Sequence, residues 1–233
     1  SIFQQFFGLT NVEETNLFFD VLLHLGTLGA VFIAYWKEIA GLTSEGLAMV
    51  HLKKLRRGQK PDPLKRRMLL FLLVFRIIVV SGGSMRMTLL DGDYLLLLNN
   101  TFYHNPQRGD IVVISKESFD DGKPIVKRVI ATEGQTVDID FETGDVSVDG
   151  EVLREDYINA LTTVDGGVHF PLTVAEGCIF VLGDNRGISK DSRYPDVGQI
   201  DKREVLGKAI FLMYPGTDDG TYPREFDRVG ARQ

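Results

Sequence analysis

A serine that follows two glycines is the first feature of this sequence that suggests a reaction. Residues 81–89 read Ser-Gly-Gly-Ser-Met-Arg-Met-Thr-Leu, and an apolar run ends directly before them. A tight turn at this place can present the Ser84 hydroxyl as a nucleophile. The same pattern also fits an ordinary Gly-Ser turn, so the motif alone does not identify a nucleophile. A serine nucleophile also needs a base, which another part of the chain would have to supply.

A lysine inside an apolar strand is the second feature. Residues 125–130 read Ile-Val-Lys-Arg-Val-Ile. Desolvation lowers the pKa of a buried lysine, which makes a neutral amine available as a base. Adjacent strand residues point to opposite faces, so one of Lys127 and Arg128 can enter a dry site while the other pairs with an acid. The alternative is a strand edge with two solvated cations.

A dense polar segment is the third feature. Residues 183–193 read Gly-Asp-Asn-Arg-Gly-Ile-Ser-Lys-Asp-Ser-Arg and directly follow the apolar run 178–182. So many hydrogen-bonding side chains after a strand indicate an ordered polar network. A flexible surface loop is the alternative.

The elements that must position these three segments are predicted to be β-strands. Short apolar runs bounded by turn residues lie at 94–98, 111–114, 125–131 and 178–182. Residues 144–153 have the pattern of a hairpin centred on Asp149 and Gly150. Because no long amphipathic helix follows residue 81, the pattern predicts an antiparallel β domain.

The N-terminal third has a different character. Residues 17–36 form an apolar run of about the length that crosses a bilayer, and Tyr35, Trp36 and Lys37 give it an aromatic-then-basic edge. A buried helix of a folded domain is the alternative. A second apolar run, residues 68–80, would reach only about 20 Å as a helix, short of the bilayer core of about 30 Å.

A basic loop lies between the two apolar runs. Residues 37–67 carry nine Lys or Arg and three acids. Basic loops next to membrane spans stay in the cytoplasm. The sequence therefore predicts that everything after residue 80 lies on the outer side of the membrane.

Composition excludes several classes of protein. The chain has 233 residues and a formal net charge of −6, which argues against a nucleic-acid binder. The single cysteine excludes an internal disulfide framework and a cysteine-based zinc site. Four scattered histidines lack metal-ligand spacing, so we expect neither a metal nor a cofactor.

Together the three polar segments resemble bacterial type I signal peptidases. The lack of a serine two positions before Ser84, where Gly82 stands, is similar to the Gram-positive branch of that family. The resemblance covers about residues 75–215 and rests on S-G-G-S-M-x-x-T-L, K-R-V-I and G-D-N-R-x-x-S-x-D-S-R. It implies a mainly β fold: an antiparallel β-sheet catalytic domain at 75–233, preceded by an α-helical membrane segment at 1–74. It also implies a serine endopeptidase of the outer face of the cytoplasmic membrane, with the bilayer and preprotein signal peptides as partners.

The resemblance also implies a role for individual residues. Ser84 matches the nucleophile, Lys127 the general base, and Ser189 the serine that orients the lysine amine. The backbone N–H of Ser84 matches an oxyanion donor, and Gly82 cannot supply the second hydroxyl that many relatives have. Two further groups are implied: ion-paired supports at Arg128, Asp184, Asp191 and Arg193, and walls of the −1 and −3 pockets at Ile78, Val80, Met85, Leu89 and Val126.

Two departures accompany the resemblance. Family members usually have proline where Met87 stands, and the residues after the lysine strand read Ala-Thr-Glu-Gly-Gln at 131–135. Residues 1–74 instead resemble an internal part of undecaprenyl-diphosphate phosphatase, at 16–28, 35–39 and 66–70. That family's glutamate-rich helix and phosphate-binding segment lie outside this sequence. The resemblances therefore predict a fusion joined near Phe75.

Three alternatives remain open on the sequence alone. The chain is a non-catalytic fusion, a fragment of a lipid-diphosphate phosphatase, or a self-cleaving repressor-type Ser–Lys peptidase. A repressor would need a DNA-binding helix-turn-helix, which a basic loop between apolar runs does not resemble. A phosphatase would need the acidic and phosphate-binding motifs that are missing here.

Overall fold

The computed structural model describes residues 36, 37, 40, 41, 63–217 and 224–232. The chain divides into two compact units, residues 1–71 and 72–233. In the first unit, the described residues between 36 and 41 are helical. One helix, α1 (Pro63–Val74), begins in the first unit and ends in the second.

The second unit consists mainly of β-strands. The strands are β1 (Phe75–Val79), β2 (Tyr94–Asn99), β3 (Ile111–Ile114), β4 (Ile125–Thr132), β5 (Thr136–Asp140), β6 (Asp145–Val148), β7 (Glu151–Val152), β8 (Leu172–Thr173), β9 (Cys178–Leu182), β10 (Ile200–Asp201), β11 (Val205–Tyr214) and β12 (Gly230–Ala231). Short 3₁₀ turns lie at Asp120–Gly122, Lys202–Glu204 and Phe226–Arg228.

These strands form two antiparallel sheets. The larger sheet has the order β1-β2-β11-β3-β4-β9-β10, with β12 paired to β11, and the smaller has the order β7-β6-β5-β8. All the strand pairs are antiparallel. In the larger sheet β1 pairs with β2 and lies at one end of the order, so its other edge has no strand partner among the described residues.

The core explains why the central strands read as continuous apolar runs. Along β3, Ile111 and Val113 pack into one cluster while Val112 and Ile114 pack into another on the opposite face. Side chains alternate between the faces of a strand, so a strand that is covered on both faces is apolar throughout. The first of these clusters also contains Val80 and Met85, and it supports the segment that carries Ser84.

The predicted β character of the region after residue 81 is confirmed. The runs at 94–98, 111–114, 125–131 and 178–182 are β2, β3, β4 and β9, with end differences of at most one residue. The hairpin is β6 and β7, and its turn residues Asp149 (φ 54°) and Gly150 (φ 83°) both adopt the positive φ that a tight two-residue turn requires. The sequence reasoning missed β11, the longest strand.

The second apolar run, residues 68–80, does not form one helix. Helix α1 ends at Val74, and Phe75–Val79 is β1, which pairs with β2. The second half of the run therefore belongs to the sheet, and only residues 68–74 of it are helical. Within the residues that the structure describes, no helix is both long and apolar enough to cross a membrane. The first predicted span, residues 17–36, lies outside the described residues except for Trp36.

Candidate active site

Ser84 lies in the loop that connects β1 to β2. Residue Asn185 of the third polar segment holds this loop by two hydrogen bonds, because its backbone N–H donates to Ser84 O at 3.0 Å and its Nδ2 donates to Gly83 O at 3.0 Å. The serine is thus fixed through its own carbonyl and the preceding one. The segment is therefore a loop held by hydrogen bonds and not a simple Gly-Ser turn. These two bonds use backbone carbonyls and leave the Ser84 hydroxyl available to a base.

Lys127 meets that hydroxyl from the neighbouring strand β4. Its Nζ lies 2.8 Å from Ser84 Oγ and donates to Val126 O at 3.0 Å. The side chain is only 2% exposed, so the alternative of a solvated strand edge is wrong. Burial lowers the pKa of Lys127 to about 8, although the negative charges of Asp191 and Asp184 act in the opposite direction. The result is an amine that loses its proton at about pH 8, well below the range of an exposed lysine.

Arg128 points away from Lys127 and pairs with Asp184. Its Nε and Nη2 donate to the two carboxylate oxygens at 2.9 and 2.7 Å, a bidentate geometry that fixes both groups. Its Nη1 donates to Gly109 O at 2.9 Å, and the Tyr157 ring lies over the guanidinium at 4.0 Å. Lys127 and Arg128 therefore contact different partners, as the strand alternation predicts.

The third polar segment is an ordered network. Arg193 Nε and Nη2 donate to the Asp191 carboxylate at 2.8 and 3.0 Å, and Asp191 also accepts from Gly183 N at 3.0 Å. Asp184, Asp191 and Arg193 are fully buried. The alternative of a flexible surface loop does not agree with this burial.

Ser189 lies in the same network, but its hydroxyl is unpaired. The Ser189 side chain is buried, and its Oγ has no hydrogen-bond partner among the described residues. A side chain added at Gly183 would place its Cβ 2.1 Å from Ser189 Oγ and 2.5 Å from Ser84 O. The hydroxyl is therefore next to the dyad, and the expected bond to the lysine amine is not formed in this structure.

A cleft of about 440 Å³ opens beside the dyad. Four of the five residues predicted for the substrate pockets line it: Ile78, Val80, Met85 and Val126. The fifth, Leu89, is fully buried in the core and does not line the cleft. Asp120 and Lys123, which the sequence reasoning missed, also line the cleft.

Several supporting residues were missed although the polar motifs contain them. Thr88 Oγ1 donates to Asp184 Oδ2 at 2.5 Å, and Asn185 holds the serine loop. Arg186 donates to both Glu155 oxygens, at 2.9 and 2.6 Å, and to Gly183 O at 3.0 Å. Thr88, Asn185 and Arg186 lie within the quoted motifs, which could have identified them as site residues. Nothing in the sequence indicated Glu155. The described residues contain no cluster of His, Cys, Asp and Glu arranged to hold a metal ion.

A family model and curated relatives indicate the same family. The family model described as "Signal peptidase, peptidase S26" matches residues 66–214. A "Probable signal peptidase I-1" from Synechocystis sp. is 33% identical over 168 residues, which cover 66% of this chain and 82% of the relative. A "Signal peptidase I" from Bacillus licheniformis is 35% identical over 150 residues, 61% of this chain and 78% of the relative. A crystal structure of a signal peptidase I from Enterococcus faecalis aligns with 33% identity and a TM-score of 0.37, covering 45% of this chain and 96% of that one.

Proposed function

Because the chain belongs to the signal peptidase family, peptidase S26, and is a hydrolase of the signal peptidase I type, we propose that it removes N-terminal signal peptides from secreted preproteins with a Ser84–Lys127 dyad. The observation that carries the dyad is the 2.8 Å contact between Lys127 Nζ and Ser84 Oγ in a buried setting. A serine beside a neutral lysine is a known arrangement for nucleophilic catalysis.

The proposed reaction is acyl transfer to the serine followed by hydrolysis. With Lys127 neutral, Nζ accepts the Ser84 proton as Oγ attacks the carbonyl carbon before the scissile bond. The backbone N–H of Ser84 stabilises the oxyanion, and the Lys127 ammonium so formed then gives its proton to the leaving nitrogen and becomes neutral again. The same amine next activates a water that hydrolyses the acyl-enzyme. No metal or cofactor takes part in this proposal.

The substrate is proposed to bind as an added strand in the cleft. The outer edge of β1 has no strand partner among the described residues, and main-chain hydrogen bonds at such an edge bind extended peptides. Ile78, Val80, Met85 and Val126 give the cleft apolar walls. We expect small residues such as Ala, Gly or Ser at −1 and poor cleavage after Phe or Lys, as the resemblance to signal peptidases implies.

Residues around the dyad are proposed to hold it in place. Two buried ion pairs hold the loops that carry the site, one between Arg128 and Asp184 and the other between Asp191 and Arg193. Ser189 is proposed to orient the Lys127 amine once its unpaired hydroxyl rotates towards it. The family match does not favour the alternatives of a repressor-type peptidase, a phosphatase fragment or a non-catalytic fusion.

Attachment to the cytoplasmic membrane, with the catalytic unit on the outer face, is the remaining part of the proposal. It rests on the apolar run 17–36, the basic loop 37–67 and the resemblance of residues 1–74 to a polytopic phosphatase. Apolar side chains of the second unit are also exposed at Ile77, Val79, Tyr94, Tyr214 and Phe226. Exposed apolar patches of this kind mark interaction surfaces, and aromatic residues favour the membrane–water interface.

Cleavage of a preprotein by the purified chain tests the proposed function. Ser84→Ala and Lys127→Ala should each abolish cleavage while circular dichroism shows a retained fold. Lys127→Arg should also fail, because a guanidinium stays protonated near neutral pH. Substantial cleavage by any of the three variants would contradict the dyad.

Protease protection of the membrane-bound protein tests the topology. Residues 90–215 should be accessible from the outer side only. A cytoplasmic location for these residues would overturn the proposed topology. Release of phosphate from a polyprenyl diphosphate would overturn the proposed role of residues 1–74 as an anchor.

A further inference from the structure

The loop that carries Ser84 is closed at its base by hydrogen bonds of Gly92 and Asp93 to Val80. We call residues 80–93 the nucleophile loop. Val80 N donates to Asp93 O at 2.8 Å, and Gly92 N donates back to Val80 O at 2.9 Å. Any movement of Asp93 is therefore passed directly to the segment that presents the nucleophile.

The Asp93 carboxylate is fully buried and receives hydrogen bonds from three parts of the chain. Leu90 N donates at 2.8 Å from within the loop, and Gly216 N donates at 2.6 Å from beyond the end of β11. Arg228 donates through Nη2 at 2.7 Å and through Nη1 at 3.2 Å. Among the described residues Arg228 is the cation that pairs with this buried charge, and it lies 135 residues further along the chain.

Arg228 belongs to a C-terminal segment that is itself anchored to the sheet. The segment, residues 224–232, contains the 3₁₀ turn Phe226–Arg228 and the short strand β12, which pairs with Phe211 and Leu212 of β11. The guanidinium is thus held against the sheet on one side while it reaches the nucleophile loop on the other.

A second contact connects Arg228 to the supports of the base. Arg228 Nη2 donates to Thr88 O in a long hydrogen bond of 3.4 Å, and Thr88 belongs to the nucleophile loop. The hydroxyl of the same residue, Thr88 Oγ1, donates to Asp184, which pairs with Arg128 beside Lys127. The C-terminal segment, the nucleophile loop and the strand of the base are therefore joined through Thr88 and Asp93.

We propose that Arg228 is a positioning residue for the Ser84–Lys127 reaction: its ion pair with Asp93 and its bond to Thr88 O hold the nucleophile loop at the distance from Lys127 that proton transfer requires. The inference rests on the proposed function. Arg228 touches neither the dyad nor the cleft, so it acts only through the placement of the loop.

The expected consequence is a larger loss of turnover than of substrate binding. Displacing a reacting group by about 1 Å lowers rates by roughly a hundredfold, and the loop is held at its base rather than at its tip. Of the apolar cleft walls, Val80 and Met85 belong to the nucleophile loop, whereas Ile78 and Val126 lie on β1 and β4, which keep their own strand pairing. Arg228→Ala should therefore lower kcat about tenfold or more and raise KM by a smaller factor.

Kinetics of preprotein cleavage, expressed per folded molecule, provide the test. The folded fraction of each variant is measured at the assay temperature by circular dichroism, so that lost stability does not count as lost turnover. Lys208→Ala is the matched control, because it also removes the cation of a mostly buried ion pair, with Asp110, but contacts no residue of the nucleophile loop. It should lose stability and keep its kcat per folded molecule. Arg228→Lys should recover part of the kcat.

A paired variant covers the case in which Arg228→Ala does not fold. Asp93→Asn with Arg228→Gln removes both charges and leaves neutral hydrogen-bonding groups, which avoids a stranded buried charge. This variant should fold and still show the reduced kcat. Wild-type kcat per folded molecule in Arg228→Ala or in the paired variant would overturn the inference. An inactive wild-type chain would instead count against the proposed function.

Discussion

At the scale of single residues, the Lys127 amine connects activity to stability. Its pKa is about 8 in the folded chain and about 10.5 when unperturbed, because burial disfavours the charged form. Below pH 8 the amine is protonated in both states, and the full penalty of a buried charge applies. Between about 8 and 10.5 the unfolded chain binds more protons, so the free energy of unfolding rises with pH.

The first prediction follows from that sign. We expect kcat/KM to rise with pH and to level off above an apparent pKa of about 8. Lys127→Met should abolish cleavage and raise the free energy of unfolding at pH 7 by up to about 3 kcal/mol. Urea unfolding from pH 7 to 10.5 measures it. The control Lys190→Met removes an exposed amine and should show neither change. A lower stability of Lys127→Met at pH 7 would contradict the buried-charge argument.

The second prediction concerns the unpaired hydroxyl of Ser189. Ser189→Ala removes a buried group that has no hydrogen-bond partner among the described residues, so the free energy of unfolding should fall by less than about 1 kcal/mol or rise. Turnover should fall if the hydroxyl orients the amine. Ser192→Ala is the matched control, because the buried Ser192 Oγ accepts from Val181 N at 3.0 Å and its loss should cost about 1 kcal/mol. Wild-type turnover in Ser189→Ala would remove the orienting role.

At the scale of elements, the nucleophile loop stores backbone strain at Met87. This residue has φ 82°, in the left-handed region that side chains other than glycine adopt at a cost of roughly 1–2 kcal/mol. Its side chain is 67% exposed, so packing of the side chain contributes little stability to offset the backbone strain. Proline, which usually stands here in the family that the sequence resembles, has its φ held near −65° and does not fit this conformation.

The third prediction tests that strain. Met87→Gly should raise the free energy of unfolding by about 0.5–1 kcal/mol, because the relief of strain exceeds the added entropy of the unfolded chain. Met87→Ala is the control, since it removes the same exposed side chain and keeps the strain. Thermal unfolding of both variants measures the difference. Equal stability of the two, or a less stable glycine variant, would show that φ at this position is ordinary.

At the scale of the whole molecule, apolar side chains are exposed on neighbouring elements. The ring centroids of Tyr94 and Tyr214 lie 5.9 Å apart, and those of Tyr214 and Phe226 lie 5.7 Å apart. Val79 pairs with Tyr94 across β1 and β2. These four residues form a continuous patch, which we call the aromatic patch, at the end of the sheet next to the base of the nucleophile loop.

The fourth prediction is that the aromatic patch contributes to binding of a lipid surface. Replacing Tyr94, Tyr214 and Phe226 by Ser should lower the fraction of residues 72–233 that floats with anionic vesicles, because less apolar area enters the interface. If that part does not fold alone, the same variants are compared in the full chain. Leu161→Ser and Val152→Ser, which change exposed apolar side chains elsewhere, are the controls. Equal flotation of patch variants and controls would contradict the prediction.

What the sequence determined by itself is the local structure of the β domain and the polar motifs that meet at the candidate site. Apolar runs between turn residues located β2, β3, β4 and β9 because both faces of these strands are largely covered, and such strands read as continuous apolar segments. The three polar motifs contained Ser84, Lys127 and Ser189, because short segments with fixed spacing are visible in a linear sequence.

Tertiary structure alone decided how distant segments meet. Strand β11 joins β2 to β3 although it follows both by about a hundred residues, and Gly207 allows it because a Cβ there would lie 2.3 Å from Leu98 O. Leu89 matched a pocket wall by position but faces the core. The ion pair between Asp93 and Arg228 joins residues 135 apart. Local patterns specify burial and turns, whereas register and long-range pairing depend on the packing of the whole unit.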